Sequence, residues 1–231
     1  MIGPYAYFVW TVSFTAQLYV VLLSIVRGEF LRYASINLYM LAVATASAAQ
    51  FITFVSFGFA SSEYIYVYYY SDCLLTVLLF FAILGLYERV FKQMEVSKHI
   101  RATAALLLAG TALFSYLVIN KNQSYLGSRF VVELAQNLYF VGVLLTLLLW
   151  GAVTKLRETR ARLVHLILSL GIYFTANAAI YALRNLFPSV ELTKALIPLV
   201  GTFLPLAWAY TFTFVPEEAR LAPARVAAVH R

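Results

Sequence analysis

The chain has 231 residues, 63% of them hydrophobic and only 12% charged. Soluble domains carry about 25% charged residues, so this surface has to be solvated by lipid, which leaves little chain for a soluble catalytic domain. The net charge of +7 would raise nucleic acid as a partner in a soluble protein; here the basic residues punctuate apolar runs, and the partner they imply is the bilayer.

Seven apolar runs follow in order, each near the ~20 residues a bilayer span needs. They cover Tyr5–Val26, Tyr33–Phe57, Tyr64–Glu88, Ala102–Ile119, Val131–Thr154, Leu163–Leu186 and Leu192–Val215. The predicted fold class is all-α: a seven-helix transmembrane domain over residues 1–215, then a basic tail over 216–231. The N-terminus has neither a basic n-region nor a small-residue cleavage site, so a cleaved signal peptide is not expected.

Orientation follows from the loops. Arg27, Arg32, Arg89, Lys92, Lys98, Arg101, Lys155, Arg157, Arg160, Arg162, Arg220, Arg225 and Arg231 fall on one side. Lys121, Arg129, Arg184 and Lys194 fall on the other. The richer side stays in the cytoplasm. The expected topology therefore has the N-terminus outside and the C-terminus in the cytoplasm of a prokaryotic-type inner membrane. Tyr64, Tyr66, Tyr68, Tyr69 and Tyr70 mark the outer interface of the third helix.

Helices one to three start near residues 5, 33 and 64, and helices five to seven near 131, 163 and 192. This near-constant offset fits a 3+1+3 parallel duplication. Any seven evenly spaced helices share the pattern, and the halves show no residue-level match.

A charge inside a span costs about 2.5–3.5 kcal/mol on insertion scales. Asp72 is the clearest case, on one face with Tyr68 and Thr76. It reads either as a proton or ligand site or as a structurally paired carboxylate. Glu133, Gln136 and Asn137 on helix five lie at similar depth, with Gln50 on helix two. On helix six, Tyr173, Asn177, Tyr181 and Arg184 form a stripe. Together they make an expected outward-facing polar cluster, either a binding cavity or polar glue between helices. Glu133 and Lys194 by themselves read as interfacial residues. Counting rise per residue puts Asp72 and Asn177 at one height. A hydrogen bond to Asp72 from Asn177 or a tyrosine is expected ahead of a salt bridge with Arg184. Pro198, Gly201 and Pro205 predict a kink or break in helix seven. The small run Ala42–Ala49 permits close packing in helix two.

No cofactor or metal is expected. His99, His165 and His230 lie in or beside the basic-side segments, where they could not serve as axial haem ligands, and no His/Cys/carboxylate set has metal-ligand spacing. Nucleophile elbow, phosphate loop and zinc-protease motif are all missing, so nothing supports an enzyme.

Tyr70–Ser–Asp72–Cys–Leu–Leu–Thr76 is similar to the third-helix motif of microbial rhodopsins, Tyr-x-Asp-x-x-x-Thr. That family attaches retinal to a lysine in the middle of helix seven, whereas Lys194 begins that helix, and Tyr69 stands where a basic residue belongs. The match is read as coincidental. The tyrosine-rich start of helix three and Leu86–Tyr87–Glu88–Arg89–Val90–Phe91 at its far end resemble uncharacterised bacterial, acidobacterial-type seven-helix membrane proteins. Gly171–Ile–Tyr173 and Trp208–Ala–Tyr210 fit the same resemblance. It implies the seven-helix fold and no mechanism. Similar units serve as input domains of bacterial signalling proteins, so the favoured expectation is a sensory or partner-binding module that docks a cytoplasmic or membrane protein. The alternative is a small-solute or proton-coupled transporter built around Asp72.

Overall fold

The computed structural model describes residues 4–58, 60–91, 97–120, 126–155, 160–187 and 192–217. Side chains are described within these except at 4–6, 97–101, 104, 119–120, 126–129 and 192–195. The described residues form seven helices: α1 (Pro4–Val26), α2 (Ala34–Phe57), α3 (Ser62–Val90), α4 (Ser97–Asn120), α5 (Leu126–Lys155), α6 (Ala161–Leu186) and α7 (Leu192–Phe214). Helices satisfy every backbone group internally, as a chain in hydrocarbon must.

Six of the helices are long and apolar enough to cross a bilayer. In α4, the fourth of the predicted spans, only part of the helix has described side chains. They form the uncharged apolar stretch Ala105–Val118. The outward faces are apolar all round, with Leu31, Ile52, Leu74, Leu106, Leu148 and Leu186 among the many large exposed side chains. So much exposed apolar surface is the signature of a multi-pass protein embedded in lipid.

Around the bundle, α1 packs on α2, α2 on α3, α3 on α5, α5 on α6, α6 on α7, and α7 back on α1. This closes a six-membered ring, with α4 outside it against α5 and α3. Exchanging the first three helices with the last three leaves the ring order unchanged. Simple sequential packing produces the same order, so the ring does not discriminate in favour of duplication.

Local chemistry sets the ends of the elements. Gly28, at φ +66, terminates α1, and the Glu29 N–H closes back onto the Ser24 carbonyl at 2.8 Å. This left-handed close needs glycine and carries the chain sharply into α2. At α3, Ser61 accepts from the Tyr64 N–H at 3.1 Å, with Glu63 in the first turn.

Small residues set the closest helix approaches. A methyl group on Gly142 of α5 would lie 2.2 Å from the ring of Phe174, which is fully buried on α6. Gly142→Ala is therefore expected to cost about 1–3 kcal/mol through overpacking. Gly110→Ala on α4, where nothing lies within 4 Å, should be neutral or slightly stabilising. Thermal unfolding of the two variants in detergent checks the contrast, and an equal shift in both would contradict it.

Candidate functional site

A cavity of about 360 Å³ lies inside the ring. Its rim is set by Tyr7, Phe54 and Tyr64, each within a turn of its helix end, and its base by Tyr39, Tyr139, Tyr173 and Pro205. From Phe54 to Tyr39 is about 22 Å along α2. Ser13 and Gln17 on α1, Ser47 and Gln50 on α2, Tyr68 and Asp72 on α3, and Pro198, Gly201 and Thr202 on α7 line the walls. Asp72 is the one carboxylate among the described lining residues, and none of those residues is a lysine or arginine.

Asp72 accepts a hydrogen bond from the Tyr181 hydroxyl on Oδ2 at 3.2 Å. Oδ1 has no hydrogen-bond partner among the described residues. The aromatic side chains form two interlocked walls. Trp10 stacks on Phe51 at 4.6 Å between α1 and α2, and Phe54 meets Tyr64 edge-on at 6.2 Å between α2 and α3. Tyr64 in turn stacks on Tyr68. At the base, Tyr139 sits 6.4 Å from Tyr173 and 5.6 Å from Tyr181.

The structure divides the polar residues expected from the sequence. Asp72, Tyr68, Gln50, Pro198, Gly201 and Pro205 line the cavity, and Tyr181 supports Asp72 from behind. Gln50 also donates to the Ser71 hydroxyl at 2.7 Å, tying α2 to α3. The hydroxyl of Thr76 turns to the Asp72 backbone carbonyl at 2.7 Å instead of reaching the carboxylate. Asn177 likewise donates to the Tyr173 carbonyl and not to Asp72. Arg184 is exposed and interacts electrostatically with Asp72, without a salt bridge between the two among the described contacts. The helix-five group does not belong to the site. Gln136 accepts from Asn185 at 3.2 Å on the flank facing α6, Asn137 donates to Ser115 of α4 at 2.9 Å, and Glu133 does not line the cavity. The Lys194 side chain lies outside the described residues.

At the opposite end sits a second polar assembly. Arg162, at the start of α6, is 2% exposed. Its guanidinium bridges Glu29 at 2.6 Å and Glu217 at 3.1 Å and donates to the Val215 carbonyl at 2.8 Å. Tyr33 also donates to Glu217, and Arg32 pairs with it at 3.3 Å. Arg89 stacks over the Tyr33 ring at 4.0 Å, a cation–π contact. Burial, together with the hydrogen bond to Glu217, pushes the Tyr33 phenol well above its ordinary range, so it stays a donor at neutral pH. Only about 10 Å³ of free space remains within this latch. The sequence had counted Arg32, Arg89, Arg160 and Arg162 as topology markers and placed Glu217 in a tail. Instead Glu217 is packed into the bundle, and the remainder of the predicted tail lies outside the described residues.

Cavity and latch are joined through α7. Trp208 is fully buried; it meets Tyr39 of the cavity base edge-on at 5.8 Å and donates from its indole to Ser169 at 2.9 Å. One turn further on, Phe212 meets Tyr33 of the latch at 5.2 Å. Among the described residues no cluster of His, Cys, Asp or Glu could hold a metal ion. Compared with family models, curated proteins and solved structures, the chain matches none.

Proposed function

We propose that this multi-pass protein is a sensory membrane module that receives a small ligand in the cavity around Asp72 and reports occupancy at the latch. The observation that carries the reading is the pairing of the two sites. One is a built cavity at one end of the ring. The other is a buried ion-pair assembly, and Tyr39, Trp208, Phe212 and Tyr33 connect the two. The resemblance to input units of bacterial signalling proteins points the same way. A ligand shifts such a module only as far as it binds two arrangements differently, and a packed aromatic column offers a bistable element for that. The output would reach a docked partner at the latch end.

The topology proposed with it puts the N-terminus and cavity mouth outside and the latch end in the cytoplasm of a prokaryotic inner membrane. Arg27, Arg32, Arg89, Arg160 and Arg162 share one end, which supports that orientation. In a Cys73→Ser background, a membrane-impermeant maleimide should label Asn122→Cys in intact cells and Lys98→Cys only after permeabilisation. The reverse labelling would overturn the orientation.

A transporter is the second reading, favoured by one specific observation: a cavity at one end and a seal at the other is the arrangement of one state of an alternating-access cycle. Proteoliposomes containing a pH-sensitive dye separate the two. The sensory reading expects no proton flux driven by candidate solutes and a stoichiometric partner on mild purification. Flux that disappears in Asp72→Asn would replace it with the transporter.

A further inference from the structure

The cavity presents acceptors and rings. Among the described lining residues Asp72 is the one charge, and its Oδ1 is unpartnered there. Gln17 is 2% exposed and donates through Nε2 to Ser13 at 3.0 Å, which leaves its Oε1 with no hydrogen-bond partner. That oxygen is closed off from a water-sized molecule, so it lies behind the cavity wall and is not a contact for a ligand. Gly201 lines the cavity, and its carbonyl lacks the usual helical donor because Pro205, four residues later, has no N–H. Gln17 and Asp72 lie about 20 Å and about 15 Å down their helices from the cavity end, so both sit in the middle of the bundle. Between them and the mouth stand the rings of Trp10, Phe51, Tyr64 and Tyr68, stacked as the pairs Trp10–Phe51 and Tyr64–Tyr68.

We propose that the cavity binds a small organic ammonium ion, its positive head held among these rings beside Asp72. An uncharged apolar ligand would leave Asp72 unmet, and an anion would meet it at close range in a low-dielectric site. A cation desolvated against aromatic faces and a carboxylate gains from both. The volume of about 360 Å³ admits a ligand of roughly ten heavy atoms with room for water. Metal cations fit less well, since the walls offer rings where a hard ion needs six or more oxygens.

This assignment rests on the reading of the cavity as a ligand site, and the test separates the two. Three isosteric probes are titrated calorimetrically into the full chain in nanodiscs. They are choline, its uncharged analogue with a tert-butyl group in place of the trimethylammonium head, and the matching tert-butyl carboxylate. Choline should bind, and the uncharged analogue should be weaker by about tenfold or more. Asp72→Asn should reduce choline binding by a similar factor while Asp72→Glu retains most of it, provided both variants unfold at temperatures near the parent's. Gly201→Trp, built where nothing lies within 4 Å of the added Cβ, should abolish binding by filling the cavity. Equal or tighter binding of the uncharged or anionic probe, still blocked by Gly201→Trp, would overturn the ammonium assignment and spare the ligand site. Choline binding unaffected by Gly201→Trp would remove the cavity as its site. Absence of choline binding would overturn the assignment itself.

Discussion

Arg162→Ala is expected to lower the stability of the bundle by about 3–5 kcal/mol, the cost of breaking a buried ion pair by removing one partner. The substitution leaves Glu29 and Glu217, both largely buried, facing each other without their shared cation, and strips the Val215 carbonyl of its donor. For a chain of this size, 1 kcal/mol shifts the unfolding midpoint by about 2–4 °C, so a fall of about 6–20 °C in detergent should follow. Removing the charges together should recover part of the loss: Arg162→Met combined with Glu29→Gln and Glu217→Gln leaves no orphaned ion. A single variant that melts within about 2 °C of the parent would show that the latch contributes nothing.

The second large effect is expected at Trp208. Its side chain is fully buried, ties α7 to α6 through Ser169, and supports the Tyr39 ring at the cavity base. Truncating a buried Trp to Ala costs about 3–5 kcal/mol in soluble cores. In a bilayer the transfer component shrinks, because the separated helices are themselves in hydrocarbon, while the lost packing contacts and the void remain. Trp208→Ala is therefore expected near the lower figure, about 3 kcal/mol, with Trp208→Phe intermediate and Ser169→Ala near 1 kcal/mol, the net worth of one hydrogen bond. Thermal unfolding of the three variants checks the order. Ser169→Ala melting below Trp208→Ala would contradict it.

How legible this molecule was differs by feature. Helix positions were readable because a span must be apolar over nearly its whole length. The observed helices differ mainly by turns added at their polar ends, as at Ser97–Arg101 of α4. The partner of Asp72 was legible only in part: height puts Asn177 level with it, whereas the bond comes from Tyr181, one turn further along the same stripe and a tyrosine of the kind expected as the other donor. Rotation about the helix axis was not readable in the same way. On α5, which touches α3, α4 and α6, neighbouring polar residues serve different partners: Gln136 meets α6 and Asn137 meets α4. Trp10, Phe51 and Phe54 went unremarked because aromatics at that depth are also what an interfacial belt requires. The latch was hidden because its arginines already had an explanation as topology markers, and its two glutamates come from opposite ends of the chain.

That last separation shapes how the protein is assembled. Arg27 donates to the Phe212 carbonyl across 185 residues of sequence, and Tyr19 meets Thr213 across 194. At about 5–20 residues per second of synthesis, the first helix resides in the bilayer for about 10–40 s before its last neighbour emerges from the ribosome. During that wait α1, which carries the buried polar residues Gln17 and Ser24, lacks the seventh helix it packs on in the finished bundle. The final helix therefore acts as the keystone of a cotranslational build, and a nascent chain arrested after α6 would be an open arc exposing polar side chains to lipid and to membrane quality control.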